Sequence, residues 1–362
     1  MADVKNVMGV SADDIKSIMG VAVDDIKTIV GLDWPASGLA WGGTRSVIFG
    51  GNGATQYGGK LDTTDYILYK TLASDSNTST FGQMVTDRDI AKGSGSNVAR
   101  AVVGGGNKVA SETTTYGIEE IDYITVGSTG NGTDFGNLVD SAGQGGFDGA
   151  SNGTLCFFNG GWDGTRNDDM EYITIASTGN GTDAGNLEAA TNGHSTSHGD
   201  SKYLIMGGYL GSGYPIDTVS ENNFHTTNGA TDYGSVGVVG MNKAAVACST
   251  ARVVCAGGYT ALDAWTRGDQ IHYFPIASSA DSTDAGNLHT PMFDACGTSD
   301  GTRGEFYGGE HVDGVVHNEI QKITIASVGD ATDVGDLTSP DFGATTYNDA
   351  GGVHGASAQS GT

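Results

Sequence analysis

The sequence holds 362 residues, 60 of them glycine, with 5 prolines, 4 cysteines and a formal net charge of −26 from 43 Asp and Glu against 17 Lys and Arg. The acidic excess is spread along the chain, which excludes the basic stripe that nucleic acid requires and opposes docking on anionic lipid. No stretch approaches eighteen apolar residues, so no membrane insertion is expected. The start MADVKNVMGV lacks the basic and apolar regions of a secretory signal, which predicts synthesis in a cytoplasm.

The first segment, residues 1–34, carries an eleven-residue repeat: VKNVMGVSADD, IKSIMGVAVDD and IKTIVGLDW. Apolar residues fall at the first and fourth positions (Val4, Val7, Ile15, Ile18, Ile26 and Ile29), followed by a glycine at the sixth. Asp13–Asp14 ahead of Ile15 and Gly20 after Met19 suit one helical turn, and the β-branched residues suit a short strand equally well. So short a segment has no core of its own. Its apolar positions predict an anchor or oligomerisation segment, with a strap packed on the same chain as the alternative. Pro35-Ala36-Ser37-Gly38 suits a hinge, and residues 35–362 form the second domain.

That domain repeats about every fifty residues. A Gly-Gly doublet follows an apolar run in VIFGG at Gly50, VVGG at Gly104, FFNGG at Gly160, LIMGG at Gly207, VVCAGG at Gly257 and EFYGG at Gly308. About twenty-five residues later comes a Thr-Asp-x-Gly-x-hydrophobic motif, at Asp134, Asp183, Asp232, Asp284 and Asp333, with a degenerate STFGQM around Phe81. Between the two lie DYILY (65–69), DYITV (122–126), EYITI (171–175), HYFPI (272–276) and QKITI (321–325), whose period-two alternation of β-branched and aromatic residues is that of strands. A weaker strand, such as AAVACST (244–250), precedes each doublet.

Four short antiparallel strands per repeat, six times over, predict an all-β, six-bladed β-propeller. A strand of the kind that precedes each doublet occurs at both ends, GLAW (38–41) and FGATTYND (342–349), so one end is expected to complete the other's blade and remove an exposed edge.

The doublets and repeat length resemble kelch repeats, the family that includes the galactose oxidase propeller. The run YITIASTGNGTDAGNL (172–187) and its echoes resemble kelch-like proteins of tailed bacteriophages, and residues 4–34 resemble N-terminal repeats of phage virion and fibre proteins. The standard kelch tryptophan is replaced here by the TD-x-G-N-L motif, so ligand rules of cellular kelch proteins do not transfer, and fold alone does not give function. The resemblance implies that the loops after the doublets share one face. They carry Trp162, Asp163 and Arg166; Tyr209 and Tyr214; Tyr259, Asp263, Trp265 and Arg267; and His311. Flat rings among mixed charges suit sugar or protein recognition.

Other constellations are weaker. His194 and His198, four apart in NGHSTSHGD, read as a polar surface loop rather than a metal pair. The Asp-rich turns could offer calcium its oxygen donors, but Thr-Asp-x-Gly is also what a hydrogen-bonded turn demands. Cys156, Cys248, Cys255 and Cys296 lie in apolar strand patterns and read as buried free thiols. No hydrolase, zinc-protease, phosphate-loop or EF-hand motif occurs, and no pattern maps onto the copper centre of a galactose oxidase, so no catalytic residue, metal or cofactor is expected. The leading expectation is a non-enzymatic virion component: a tail fibre, collar or capsid appendage. It would join other virion proteins and its own copies, a trimer by analogy with fibres, through residues 1–34. The propeller would offer itself to a host-surface glycan or protein. A soluble lectin-like or protein-binding module and a metalloenzyme are the alternatives.

Overall fold

The computed structural model describes residues 6–7, 10–11, 17–18, 21–22, 28–29, 32–33, 45–53, 64–88, 93–97, 99–111, 114–139, 148–162, 164–199, 201–211, 215–224, 229–237, 241–260, 266–311, 317–327, 329–338, 347–348 and 351–353. The chain divides into two compact units, Met1–Ala40 and Trp41–Thr362. In the first, three two-residue hairpins recur at the repeat interval: Asn6–Val7 with Val10–Ser11, Ser17–Ile18 with Val21–Ala22, and Thr28–Ile29 with Leu32–Asp33. Of the two local conformations open to this repeat, the strand is the one adopted at these positions. Val4, Ile15 and Ile26 lie outside the described residues.

The second unit holds six four-stranded antiparallel sheets. From inner to outer strand, blade 1 is Gly351–Val353, Arg45–Phe49, Thr64–Thr71 and Ser79–Arg88. Blade 2 is Ser94–Ser96, Arg100–Gly104, Glu120–Thr125 and Thr133–Asn137, and blade 3 is Asp148–Ser151, Leu155–Trp162, Arg166–Thr174 and Thr182–Asn186. Blade 4 is Ser195–Thr196, Lys202–Met206, Thr218–Asn223 and Thr231–Ser235. Blade 5 is Ala245–Cys248, Arg252–Ala256, Gln270–Pro275 and Thr283–Asn287, and blade 6 is Cys296–Ser299, Arg303–Tyr307, Glu319–Thr324 and Thr332–Asp336. Each first strand touches the first strands of both neighbours, and the sixth touches the first, so these strands ring the axis. The unit is a six-bladed β-propeller, and no helix occurs among the described residues.

Alternation explains why the strands before the doublets are apolar throughout. Val47 and Phe49 pack toward Ala101 and Val103 of blade 2, while Ile48 between them packs toward Tyr307 and Ile320 of blade 6. Successive side chains point to opposite faces, and both faces are covered by a neighbouring blade. The six apolar clusters of the unit each join one pair of adjacent blades, so the core is six seams rather than one centre.

The closing strand departs from expectation. Gly351, Gly352 and Val353 pair with Phe49, Ile48 and Val47, whereas Tyr347–Asn348 pairs with Asn52–Gly53. Residues 38–41 lie outside the described residues. The axis selects small side chains: a Cβ on Gly149 would sit 2.4 Å from the Ser94 nitrogen, and one on Gly297 would sit 2.1 Å from the Val246 oxygen. FGATTYND, with its Phe and Tyr, is too bulky for that ring, and Gly351-Gly352 is not.

The TD-x-G-N-L motif proves to be the outer strand itself. Asp183, Asp284 and Asp333 each accept the N–H of the glycine two residues on, at 2.7–3.0 Å, around a bulge that turns Ala184, Ala285 and Val334 inward. The glycine then lies against the next blade: a Cβ on Gly136 would meet the Gly179 carbonyl oxygen at 2.4 Å. There the Gly179 N–H donates to Phe135 and the Gly181 N–H to Asn137, while the Asn180 carboxamide accepts the Asn137 N–H at 3.1 Å. The same side-chain clasp recurs at Asn131 to Gln83, Asp281 to Ser235, Asp330 to Asn287 and Asn77 to Asp336, the last running from blade 6 back to blade 1. The STGNGT loop is therefore a blade-to-blade fastener.

Cations add a second fastener at the first residue of the doublet strand. Arg45, Arg100 and Arg252 each donate to a backbone carbonyl of the following blade, at Val126, Ile175 and Ile325, and each guanidinium lies 4.3–4.9 Å from the ring of a tyrosine in its own blade. At the seam between blades 6 and 1, Lys70 and Glu305 form a fully buried pair at 3.0 Å. The Tyr307 hydroxyl also donates to Glu305, and Arg303 joins Glu305 to Asp75. Burial holds the Lys70 ammonium below its ordinary range, with Glu305 opposing that shift.

Breaking a buried ion pair from one side leaves the other charge uncompensated and costs about 3 kcal/mol or more. Glu305→Leu, which leaves the buried Lys70 ammonium without its carboxylate, is accordingly expected to lower the unfolding free energy by that order, read as a lower denaturant midpoint. The double variant Lys70→Met/Glu305→Leu, which removes both charges, is expected to recover a large part of the loss. Chemical denaturation of the three proteins checks both.

Candidate functional site

Two sets of loops share one end of the propeller: those following the doublets, and the crossovers that carry the chain from each outer strand to the next inner strand. The doublets build the first set. All six have two consecutive positive-φ glycines, and in blade 2 these are Gly105–Gly106 (φ 59° and 101°), one residue beyond the doublet expected at Gly104. A Cβ on Gly207 would lie 1.9 Å from the Met241 oxygen, so only glycine lets the doublet pass beneath the crossover. Arg45 stands at the opposite end of the blade 1 strand from Gly50–Gly51.

The ten residues expected on this face distribute unevenly. Asp163, Tyr214, Asp263 and Trp265 lie outside the described residues. Arg267 pairs by its backbone with Tyr259. Trp162 and Arg166 face each other across the blade 3 loop, the guanidinium 5.3 Å from the indole, and the Arg166 Nε donates to the Asn192 carboxamide at 3.1 Å. Tyr209 donates its backbone N–H to the Asn192 carbonyl and is 8 % exposed. Burial pushes its phenol up to about 12, with Tyr259 and Asp294 adding to the shift and Lys243 and Arg166 opposing it. Arg166, Tyr209 and Tyr259 thus share one electrostatic neighbourhood spanning blades 3 to 5. His311 lies in blade 6, its ring centroid 4.9 Å from that of His317.

The sequence reading missed the crossovers. Gly193, Lys243 and Asp294 occupy the same repeat position, and all three have left-handed backbones, with φ of 70°, 56° and 59°. Lys243 and Asp294 are the non-glycine residues so held among the described residues. Lys243 donates its N–H to the Gly193 carbonyl, and Asp294 to that of Lys243, so the crossovers are stitched side by side. Their side chains pair at 2.6 Å, and the Lys243 ammonium lies 4.9 Å from the Phe293 ring, which packs against Tyr259. A signal was present: Gly193 in TNGH falls one repeat before Lys243 in MNKA and two before Asp294 in MFDA.

The two histidines weighed as a surface pair are both buried, at 1 % and 4 % exposed. They flank the inner strand of blade 4, where inner strands press on one another, and so cannot sit in a surface loop. The His198 Nδ1 accepts the Ser151 N–H at 3.0 Å from blade 3, which fixes the neutral ring, and burial pulls its pKa down to about 3. The four cysteines are free and buried. Burial pushes Cys248 and Cys255 up to about 12, and Cys156 higher, so these thiols are unreactive. No three His, Cys, Asp or Glu converge among the described residues in a way that could hold a metal.

A solved structure entitled "Structure of YjhT" matches with a TM-score of 0.60 at 14 % identity, covering 76 % of this chain and 95 % of that one. At that identity the likeness shows the fold alone. No family model and no curated protein sequence matches the chain.

His198 generates a pH prediction. Its folded pKa lies below the unfolded value near 6.5, so the stability it contributes is complete above that value and is lost as pH falls toward about 3. The loss is expected to be on the order of a few kcal/mol. Urea midpoints between pH 7 and 4 should fall steeply in the native protein and less steeply in His198→Asn, whose carboxamide oxygen can still accept the Ser151 N–H.

Proposed function

We propose that this chain is a non-enzymatic structural protein of a bacteriophage particle, an appendage of tail, collar or capsid whose kelch-like propeller binds a host-surface glycan or protein. The observation that carries the reading is the pairing of two units. Three hairpins at an eleven-residue interval form a unit too short for a core of its own, and a propeller that is closed without them follows. A unit of that kind gains stability by associating with other virion proteins or with its own copies, and three copies suit a fibre. The resemblance of YITIASTGNGTDAGNL to phage kelch-like repeats supports the same source.

A second reading, a soluble lectin-like module, is favoured by the aromatic and charged cluster on that face, which needs no particle to bind. Mass spectrometry of purified particles separates the two. The protein is expected in them at fixed stoichiometry, and a version lacking residues 1–34 is expected to fold but to be missing from them. Its absence from particles, together with a monomeric full-length chain in solution, overturns the virion reading in favour of the soluble module.

A further inference from the structure

We propose that the groove between blades 3 and 4 on the doublet face is a subsite for one neutral pyranose unit of a glycan. The inference deepens the binding role proposed above and rests on it for the source of the glycan.

The groove is open to solvent and holds about 210 Å³, room for a single sugar ring. Its aliphatic surface comes from Leu187, Ile205, Leu210 and Ile216. Leu210 is 48 % exposed, one of three large apolar side chains so exposed among the described residues, and it alone of the three lines the groove. The polar surface comes from Thr191, Thr218 and the Glu188 carboxylate, which accepts the Ser220 hydroxyl at 2.9 Å. A carboxylate has about four lone-pair sites, so Glu188 keeps acceptor capacity after that bond. The rim continues into the cluster already described: Tyr209 precedes Leu210, and the Arg166 guanidinium reaches within 3.4 Å of where a Cβ on Gly211 would stand.

This two-sided lining matches a pyranose, which offers a C–H patch on one side and vicinal hydroxyls around its edge. An apolar side chain from a protein partner would cover Leu210 but leave the remaining acceptor sites of Glu188 and the Thr218 hydroxyl desolvated, a cost of about 1–3 kcal/mol for each group left unpaired. An anionic sugar is disfavoured because the charged lining residue is a carboxylate. The cation at the lip, Arg166, is already engaged by Asn192 and stacked near Trp162.

The test uses the full-length protein with methyl glucoside, galactoside and mannoside, and with glucuronate as the anionic comparison, followed by saturation-transfer NMR and calorimetry. At least one neutral hexoside is expected to bind with a dissociation constant of about 1 mM. Leu210→Arg, at an exposed position, should weaken that binding at least about tenfold without moving the melting temperature, and Glu188→Ala should weaken it as much while lowering the melting temperature by no more than the loss of one Ser220 hydrogen bond. Val85→Arg, which places the same charge on an exposed site in blade 1, should leave it unchanged. Binding of glucuronate alone, binding of no hexoside, or hexoside binding untouched by both groove variants overturns the proposal. Particle incorporation read on the same variants separates the two claims: a protein found in particles that binds no hexoside defeats the groove and leaves the virion reading standing.

Discussion

A sheet of four short strands with apolar residues on both faces cannot be stable until both faces are covered, and in a ring this demand passes from blade to blade until the last must meet the first. The protein meets it with three residues, Gly351–Val353, hydrogen-bonded to the strand that opens the propeller. Every other seam joins blades that are neighbours in sequence. The seam between blades 6 and 1 joins residues more than two hundred positions apart, and its polar bonds form one connected chain. Ser46 bonds Thr298, Thr298 bonds Tyr307, and Tyr307 and Lys70 both bond Glu305. Closing so long a loop costs chain entropy that the other seams do not pay. The buried network offsets part of that cost and admits one register.

The same constraint orders the charge. With 17 cations against 43 acids, the chain places Arg45, Arg100, Arg252, Lys70, Arg88 and Arg303 at seams, where each satisfies carbonyls or carboxylates of an adjoining blade. Aspartates of the outer strands, such as Asp134, Asp183 and Asp284, remain on the exposed rim. An acidic rim keeps the edge strands of one molecule from pairing with those of another, and the Asp-x-Gly bulges interrupt the ladder that such pairing would need. A single repeated motif thus fastens neighbouring blades and blunts the edge.

Much of this was legible because the period is short and each repeat has a fixed physical task. Gly-Gly marked the passage beneath the crossover, and the Tyr-Ile-Thr-Ile runs marked third strands whose isoleucines are buried while their tyrosines are half-buried and their threonines exposed. Blade 4 hid its third strand, TVSENN, because Ser220 and Asn222 there make side-chain hydrogen bonds in place of apolar packing. β-Propensity favours FGATTYND as the closing strand, whereas packing at the axis favours glycine, and Gly351–Val353 takes the place. His194 and His198 differ for a related reason: polar residues read as surface, but the axis is lined by serines, threonines and histidines that satisfy one another across blades. The candidate site was half visible. Aromatics after the doublets could be seen in the sequence. The stitched crossovers with Lys243 and Asp294, and the groove beneath Leu210, depend on neighbouring repeats coming together, which no single repeat reveals.

The closed ring depends on residues 351–353 completing blade 1. Thermal unfolding of a chain ending at Asn348, set beside one lacking residues 1–34, addresses it directly. The shortened C-terminus is expected to lower the melting temperature sharply and broaden the transition, while loss of the N-terminal segment is expected to leave one cooperative transition near its original temperature. A chain ending at Asn348 that melts like the full-length protein would contradict that dependence.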